Sequence, residues 1–562
     1  MKRQGFLKGS AILLGMVFIT KAIGLAYKIP LTHLLGGSGM AYYSGAFAVF
    51  TPLLAAAVSG ISASTARLTA ENMAFERYTN LRKTRQCAML LYSAIGLLAA
   101  LLFIALSEPL AIRFLHDKHA ALALAALAPS ILFAAVLSVE RGYFEGLRNM
   151  LPTAFSEIAE TVIKAVLGLT GAYAVLNYAE TEFSETHGCF GQFFRTAEEA
   201  RAFALPFAVT AAVLACSLAT GFACIYIILK RKLGGDGITP AQLSSDTLTD
   251  SCGHISRRLL SFSLPIAGAA VITTLTGTID LLTISRGLDS ALSAGMKTGL
   301  NIQTSALPDF IYGSYTGLAL MVTGLVPTFT AMFGKSALPS LAEAWSREDS
   351  KALSVQTVRM IKLTALIAIP SGLILTVMPE QVLSFLFKGR TEEIASASPA
   401  LAILGIACIF TSFALPSLTA LQALGSRLAP ILLMTAGGII KLAGNLLLIP
   451  QPALGIRGAA ISTAAAQGFI AVSALLLLFR KTETRSHLSA AILRPAFAAL
   501  LGTAAARLTV DVSQKVIDVS SESRLLFSIS AVFGAFVYVS ALWLIGVLPQ
   551  ERISGYFYKK NS

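Results

Sequence analysis

Long apolar runs alternate with short polar segments along the whole chain. Runs long enough to cross a bilayer as a helix, about 20 residues, fall near 6–32, 41–66, 86–106, 120–140, 152–178, 202–229, 259–285, 309–333, 360–386, 398–421, 428–450, 455–479, 490–510 and 525–548. The pattern predicts an all-α integral membrane protein with about fourteen spans. A chain in lipid must satisfy its backbone N–H and C=O groups within each segment, which a helix does. The first run, behind Lys2, Arg3 and Lys8, has the look of a signal peptide. No small-residue cleavage site follows it, so it reads as a retained first span. An even number of spans puts both ends on one side.

The polar segments say which side. With the N-terminus placed in the cytoplasm, 28 of the 44 Lys and Arg fall in inside segments, 12 in outside segments and 4 within spans. That bias follows the positive-inside rule and predicts two cytoplasmic termini. The longest polar stretches, 230–258 and 334–359, are both inside. Gly234, Gly235, Gly237 and Pro240 mark the first as a flexible linker between six spans and the eight that follow. The outside loop 179–201 is acidic, and no role is assigned to it.

Composition agrees. The chain is 55% hydrophobic and 13% charged, against about 25% charged in an average soluble domain. Its net charge of +14 is spread over the ends of apolar runs rather than gathered into a patch, which argues against a nucleic-acid partner. Expected partners are membrane lipids and a lipid-borne substrate.

A repeat divides the chain. RGYFEGLRNMLPTAFSEIAETVIKAVLG (Arg141–Gly168) and TALQALGSRLAPILLMTAGGIIKLAGN (Thr419–Asn445) each run from a span end through Gly and a basic residue to a Pro that opens the next span. Each opened span carries one lysine, Lys164 or Lys441. The six-span offset between the copies predicts lobes at 1–232 and 258–480, a linker at 233–257 and an added two-helix segment at 481–562.

The four lysines within spans are Lys21, Lys28, Lys164 and Lys441. Each charge costs at least about 2.5–3.5 kcal/mol at mid-membrane, so each needs a reason. For Lys28 the plain reason is snorkelling to the interface. For the other three it is a buried carboxylate. Glu157, Glu160 and Lys164 share a helical face, so a Glu160–Lys164 pair is one purely structural outcome. Asp280 is a second charge partner, or a group that binds a coupling H+ or Na+. Asp309, next to Pro308, reads as a helix-end acid. Four lysines against few acids predict a positively charged cavity that attracts a phosphate or pyrophosphate.

Other chemistry is thin. The six cysteines form no CxxC pair, and no disulfide framework is expected. Cys252 and His254 lack a second pair to make a zinc site. His116 and His119 read as solvated. There is no Walker loop, GxSxG or HExxH, so neither an enzyme nor a bound cofactor is expected. The rivals are an organic-cation exporter, which would carry cavity carboxylates, and a membrane-embedded glycosyl- or phosphotransferase, which would need clustered acids or histidines.

The stretches FLKGSAILLGMVFITKAIGLAYKIPL, RGYFEGLRNMLPTAFSEIAE, YGSYTGLAL, ALPSLAEAWSRED, LQALGSRLAP and LIPQPALGIRGAAISTA carry a resemblance. In that order, across both lobes, they resemble the polysaccharide-transport and MurJ-like branch of the multidrug/oligosaccharidyl-lipid/polysaccharide (MOP) flippase superfamily, and within it the stage V sporulation protein B type. The resemblance implies a bacterial cell-membrane flippase. Its cargo would be an undecaprenyl-pyrophosphate-linked sugar, such as lipid II or a spore-cortex precursor, moved to the outer leaflet. The expected mechanism is alternating access between the two lobes, with membrane potential, H+ or Na+ as the candidate driving forces. Family members carry activity-linked arginines in the first span. Lys21 and Lys28 stand at the matching positions, keeping the charge without the bidentate fork. Spans thirteen and fourteen resemble the family's groove for a lipid tail.

Overall fold

The computed structural model describes residues 6–115, 117–244, 249–296, 307–426, 428–484, 488–517 and 524–547. His116, Arg427 and His487 lie outside them. Thirteen helical segments among the described residues are long and apolar enough to cross a membrane, and the first, Gly15–Ala74, contains two of the expected spans. The chain is therefore a multi-pass, all-α membrane protein of about fourteen spans. It forms two compact units, Met1–Leu281 and Leu282–Ser562.

The first unit begins with α1 (Phe6–Val58), which kinks at Gly36, where φ is 65°. A side chain is strained in that left-handed region. Then come α2 (Ile61–Ala74), α3 (Tyr78–Leu110), α4 (Ala120–Gly146) and α5 (Leu151–Thr186). A hairpin of β1 (Gly188–Cys189) and β2 (Gln192–Phe193) leads to α6 (Ala197–Gly234) and α7 (Pro240–Ser244). Thr196 caps α6 by accepting from the Glu199 amide, and Glu198 and Glu199 complement the helix dipole in its first turn. The helix α8 (Cys252–Ser293) starts in this unit and crosses the boundary at Leu281.

Burial is inverted relative to a soluble protein. Leu97, Leu98, Leu101 and Leu102 of α3 are exposed, as lipid-facing leucines should be. Polar side chains point inward and bond to one another: Tyr92 donates to Ser263 Oγ at 3.0 Å, and its hydroxyl meets Ser64 at 3.2 Å. At the end of α4, Glu140 is fully buried between Arg85 and Arg231, at 2.7 and 3.1 Å.

Three sequence expectations meet the structure in this unit, and two need correction. The linker 230–258 is not a free tether over its described residues. Arg82 holds Asp236 through two bonds of 3.0 and 3.1 Å, and the Tyr143 hydroxyl donates to the same carboxylate at 3.0 Å. Arg77 and Asn80 hold Asp250, and Arg258 holds Glu71. Ile238 and Leu243 pack with Tyr78, Leu81, Tyr143 and Leu147. Glycine content signalled flexibility, but the neighbouring acids and apolar residues found partners on α3 and α4. Second, His119 is exposed, as expected, and its ring also meets Phe203 and Phe207, with centroids at 5.5 and 5.7 Å. The hairpin's Phe190 joins the same aromatic group, 5.0 Å from Phe207. Third, Cys87 and Cys252 are joined by a disulfide, with Cα atoms 5.8 Å apart across 165 residues of sequence. No local spacing could announce it. The other four cysteines are free and buried.

The strap has a pH dependence. Burial pushes the Asp236 carboxyl up, but hydrogen bonds from Arg82, the Ile238 amide and Tyr143 outweigh it and hold the group below the usual carboxylate range. Asp250 is likewise held low, burial being outweighed by Asn80 and Arg77. A depressed carboxylate contributes stability above its unfolded value and loses it as pH falls through the folded value. The strap is therefore expected to stay protected from protease at neutral pH and to open only under strong acid. Asp236→Asn should make 230–258 cleavable at neutral pH in a limited-proteolysis time course.

The second unit continues with α9 (Leu307–Ser314), which carries Asp309 in its first turn, α10 (Leu320–Thr323), α11 (Leu325–Ser346) and α12 (Ser350–Val377). It ends with α13 (Pro379–Leu386), α14 (Thr391–Ala423), α15 (Leu428–Leu448), α16 (Ile456–Thr482), α17 (Leu488–Ile517) and α18 (Arg524–Leu544). The helices α17 and α18 touch through glycines: a Cβ on Gly502 would lie 2.8 Å from the Gly534 carbonyl oxygen. The repeat is visible in packing. In the first unit α4 packs on α2, α3 and α6; in the second, α14 packs on α11, α12 and α16. The two turns match as well, each using a left-handed residue, Arg148 at φ 57° and Gly425 at φ 77°.

Candidate functional site

The basic residues of the first unit converge because a kink and a glycine let two helices meet. Lys21 and Lys28 lie two turns apart on α1, before the kink at Gly36. Past the kink, the same helix carries Tyr43 and Phe47. Lys164 comes from α5, and its ammonium stands 4.9 Å from the Phe47 ring centroid, within the range of a cation–π contact. Tyr27, next to Lys28, meets α5 at Gly168, one turn beyond Lys164, so both lysines lie at the contact of α1 with α5. The Tyr27 and Tyr43 hydroxyls adjoin the pair. Lys28 and Lys164 are half-buried, whereas Lys21 is exposed.

Gly168, one turn beyond Lys164, makes the close approach of α5 to α1 feasible. A Cβ there would lie 2.7 Å from the Tyr27 hydroxyl oxygen and 3.1 Å from its ring. Gly168→Ala is expected to lower stability by about 1–3 kcal/mol through overpacking. Adding Tyr27→Phe should recover part of it, as read from thermal melts of the detergent-solubilised protein.

The expected Glu160–Lys164 pair is not the arrangement found. Glu160 accepts from Arg141 at 2.8 Å and from Thr220 at 2.8 Å, and Glu157 lies 3.8 Å from Arg141. Arg141 also donates to Ser156 at 2.9 Å. Sequence reasoning treated Arg141 only as part of the repeat. Its place at the end of α4, facing the first turns of α5, was the missed signal. With both acids engaged by Arg141, no carboxylate among the described residues forms an ion pair with Lys28 or Lys164.

Lys441 and Asp280 belong to other surroundings. Lys441 is buried on α15 of the second unit, one turn before Asn445. The Asn445 amide donates to Thr283 at 2.8 Å and its carbonyl accepts from Ser462. Asp280 is 3% exposed on α8, at the end of the first unit. The structure thus brings Lys28 and Lys164 together, with Lys21 further along α1, while Lys441 stands in the second unit.

Residues 6–182 match a family of polysaccharide biosynthesis proteins. Over 462 residues the chain is 23% identical to stage V sporulation protein B of Bacillus subtilis (strain 168), covering 82% of this chain and 81% of that one. It is 21% identical to the lipid II flippase MurJ of the same organism, over 98% of each. Among solved structures, the lipid II flippase MurJ in an inward closed conformation aligns with TM-score 0.64 and 14% identity, over 95% of this chain and 99% of that one. An inward-facing multidrug resistance MATE transporter of the MOP superfamily aligns with TM-score 0.60 and 14% identity, over 84% and 98%. In sequence and fold the chain resembles the polysaccharide-transporter and MurJ-like branch of the MOP flippase superfamily. Among these similar proteins, MurJ is a lipid II flippase and the MATE protein a multidrug resistance transporter. The family match covers only the first repeat, whereas the alignments with MurJ run over nearly the whole chain and take in both α5 and α15.

Proposed function

We propose that the chain flips an undecaprenyl-pyrophosphate-linked sugar from the inner to the outer leaflet by alternating access, without making or breaking a covalent bond. The observation that supports this reading is the Lys28–Lys164 pair. Two like charges at half-buried positions on the packed spans α1 and α5 are unfavourable unless something anionic joins them. A diphosphate fits. It offers several oxygens to two ammonium groups acting as point charges, and hydroxyls at Tyr27 and Tyr43 can donate as well. The prenyl chain would remain in lipid, where it loses no hydrophobic stabilisation. Lys21, Lys28, Lys164 and Lys441 are the proposed diphosphate-binding set. Asp280 is the proposed site for a coupling H+ or Na+, and Glu157 and Glu160 hold Arg141. The four-part division at 1–232, 233–257, 258–480 and 481–562 and the cytoplasmic placement of both termini belong to the same reading. An inside-negative potential would then favour outward movement of the anion.

The experiment is reconstitution into liposomes with a labelled undecaprenyl-diphosphate sugar, followed by leaflet-specific quenching of the label. The reading expects protein-dependent movement that stops when the lipid carries a neutral headgroup. Equal movement of neutral and diphosphate lipids would overturn it. So would transport of organic cations in place of the lipid.

A further inference from the structure

We propose that Cys87 and Cys252 form a reversible thiol–disulfide exchange site that reacts with a low-molecular-weight thiol–disulfide couple and clamps or releases the first turns of α8. The two sulfurs are joined, which fixes their proximity. Their surroundings differ. Cys87 is 3% exposed, in the cluster with Tyr92, Ile255 and Leu259, whereas Cys252 is exposed at the start of α8. An external thiolate can therefore reach only one of the two sulfurs, and attack at Cys252 defines the chemistry.

The thiolate attacks Cys252 Sγ, the Cys252–Cys87 bond breaks, and Cys87 leaves as a thiolate that takes up a proton. A mixed disulfide remains on Cys252. A second thiol then attacks the small molecule's sulfur, releasing Cys252 as a thiol and a free low-molecular-weight disulfide. Two external thiols are oxidised and the protein bond is reduced. The reverse sequence, with the small disulfide as oxidant, restores it.

Two observations make the site a clamp rather than a static brace. The bond ties the start of α8 to α3, and α8 is the helix within which the two units divide. The flanking contacts, Asp250 with Arg77 and Arg258 with Glu71, are partly exposed ion pairs. Such pairs contribute little by themselves, so this end is held by the covalent link together with buried Ile255 and Leu259. By the charge bias of the loops, residues 230–258 face the cytoplasm, where small thiols keep exposed disulfides reduced. A bond placed there would form on oxidation and open afterwards.

The test uses the full-length protein in cells. Free thiols are trapped by a maleimide before and after diamide, a thiol oxidant, and again after millimolar thiol. A membrane-impermeant maleimide is applied to intact and permeabilised cells in parallel. The expected result is that Cys252 labels in growing cells, loses at least tenfold of that labelling after diamide, and regains it with thiol. Cys252 should react with the impermeant reagent only after permeabilisation. In the purified protein, amide exchange over 249–258 should be about tenfold faster in the reduced form. Cys252→Ala should show the fast exchange in both conditions, and because its side chain is exposed the variant is expected to fold. A bond that survives millimolar thiol, thiols that never pair under diamide, labelling of Cys252 from outside intact cells, or exchange independent of redox state would each overturn the proposal.

Discussion

Replacing Lys28 or Lys164 by alanine is expected to lower transport of a lipid-linked diphosphate by about ten- to a hundredfold. A charged hydrogen bond contributes about 1.5–3 kcal/mol, and each 1.36 kcal/mol is a factor of ten. The amount of folded protein should not fall, because the removed charge has no carboxylate partner to strand among the described residues. The double variant should lose less than the product of the single losses, since both groups would hold one anion. Lys21→Ala is the comparison. Exposed and two turns away, Lys21 is expected to give the smallest loss of the three. A leaflet-accessibility assay on reconstituted variants measures all of this.

Glu140→Gln is expected to destabilise the protein by about 3–5 kcal/mol. The carboxylate is fully buried and accepts from both Arg85 and Arg231, so its neutralisation leaves two guanidinium groups in a low-dielectric setting without compensation. Arg201→Ala removes an ion pair of similar length, 2.9 Å to Glu180, but both of its partners are about half exposed. That change should cost less than about 1 kcal/mol. Thermal melts of the two variants, side by side in one detergent, check the contrast. A Glu140→Gln protein as stable as Arg201→Ala would mean that burial does not control the strength of these pairs.

The helices were readable because lipid imposes one rule on long stretches, and apolar runs of spanning length obey it. The repeat was readable because its turn needs a residue that tolerates positive φ and a proline to open the next helix. Both copies keep that grammar around Arg148 and Gly425. What could not be read was pairing at a distance. Arg141 meets Glu160 across a helical turn, Asp236 meets Arg82 across 154 residues, and Cys87 meets Cys252 across 165. Nothing local encodes these. The lysines themselves stood out, because charge inside a span is expensive. Which of them would come together depended on the Gly36 kink and on the bare Gly168 surface against Tyr27. Glycines of that kind are indistinguishable in sequence from the many others in the spans.

The most direct measurement is native mass spectrometry of the detergent-solubilised protein with undecaprenyl diphosphate and undecaprenyl monophosphate in competition. The account predicts that the wild-type chain retains the diphosphate lipid preferentially, and that Lys28→Ala with Lys164→Ala in one chain abolishes the preference while leaving bulk phospholipid adducts unchanged. Retention of the diphosphate lipid by the doubly substituted chain at wild-type level would contradict it.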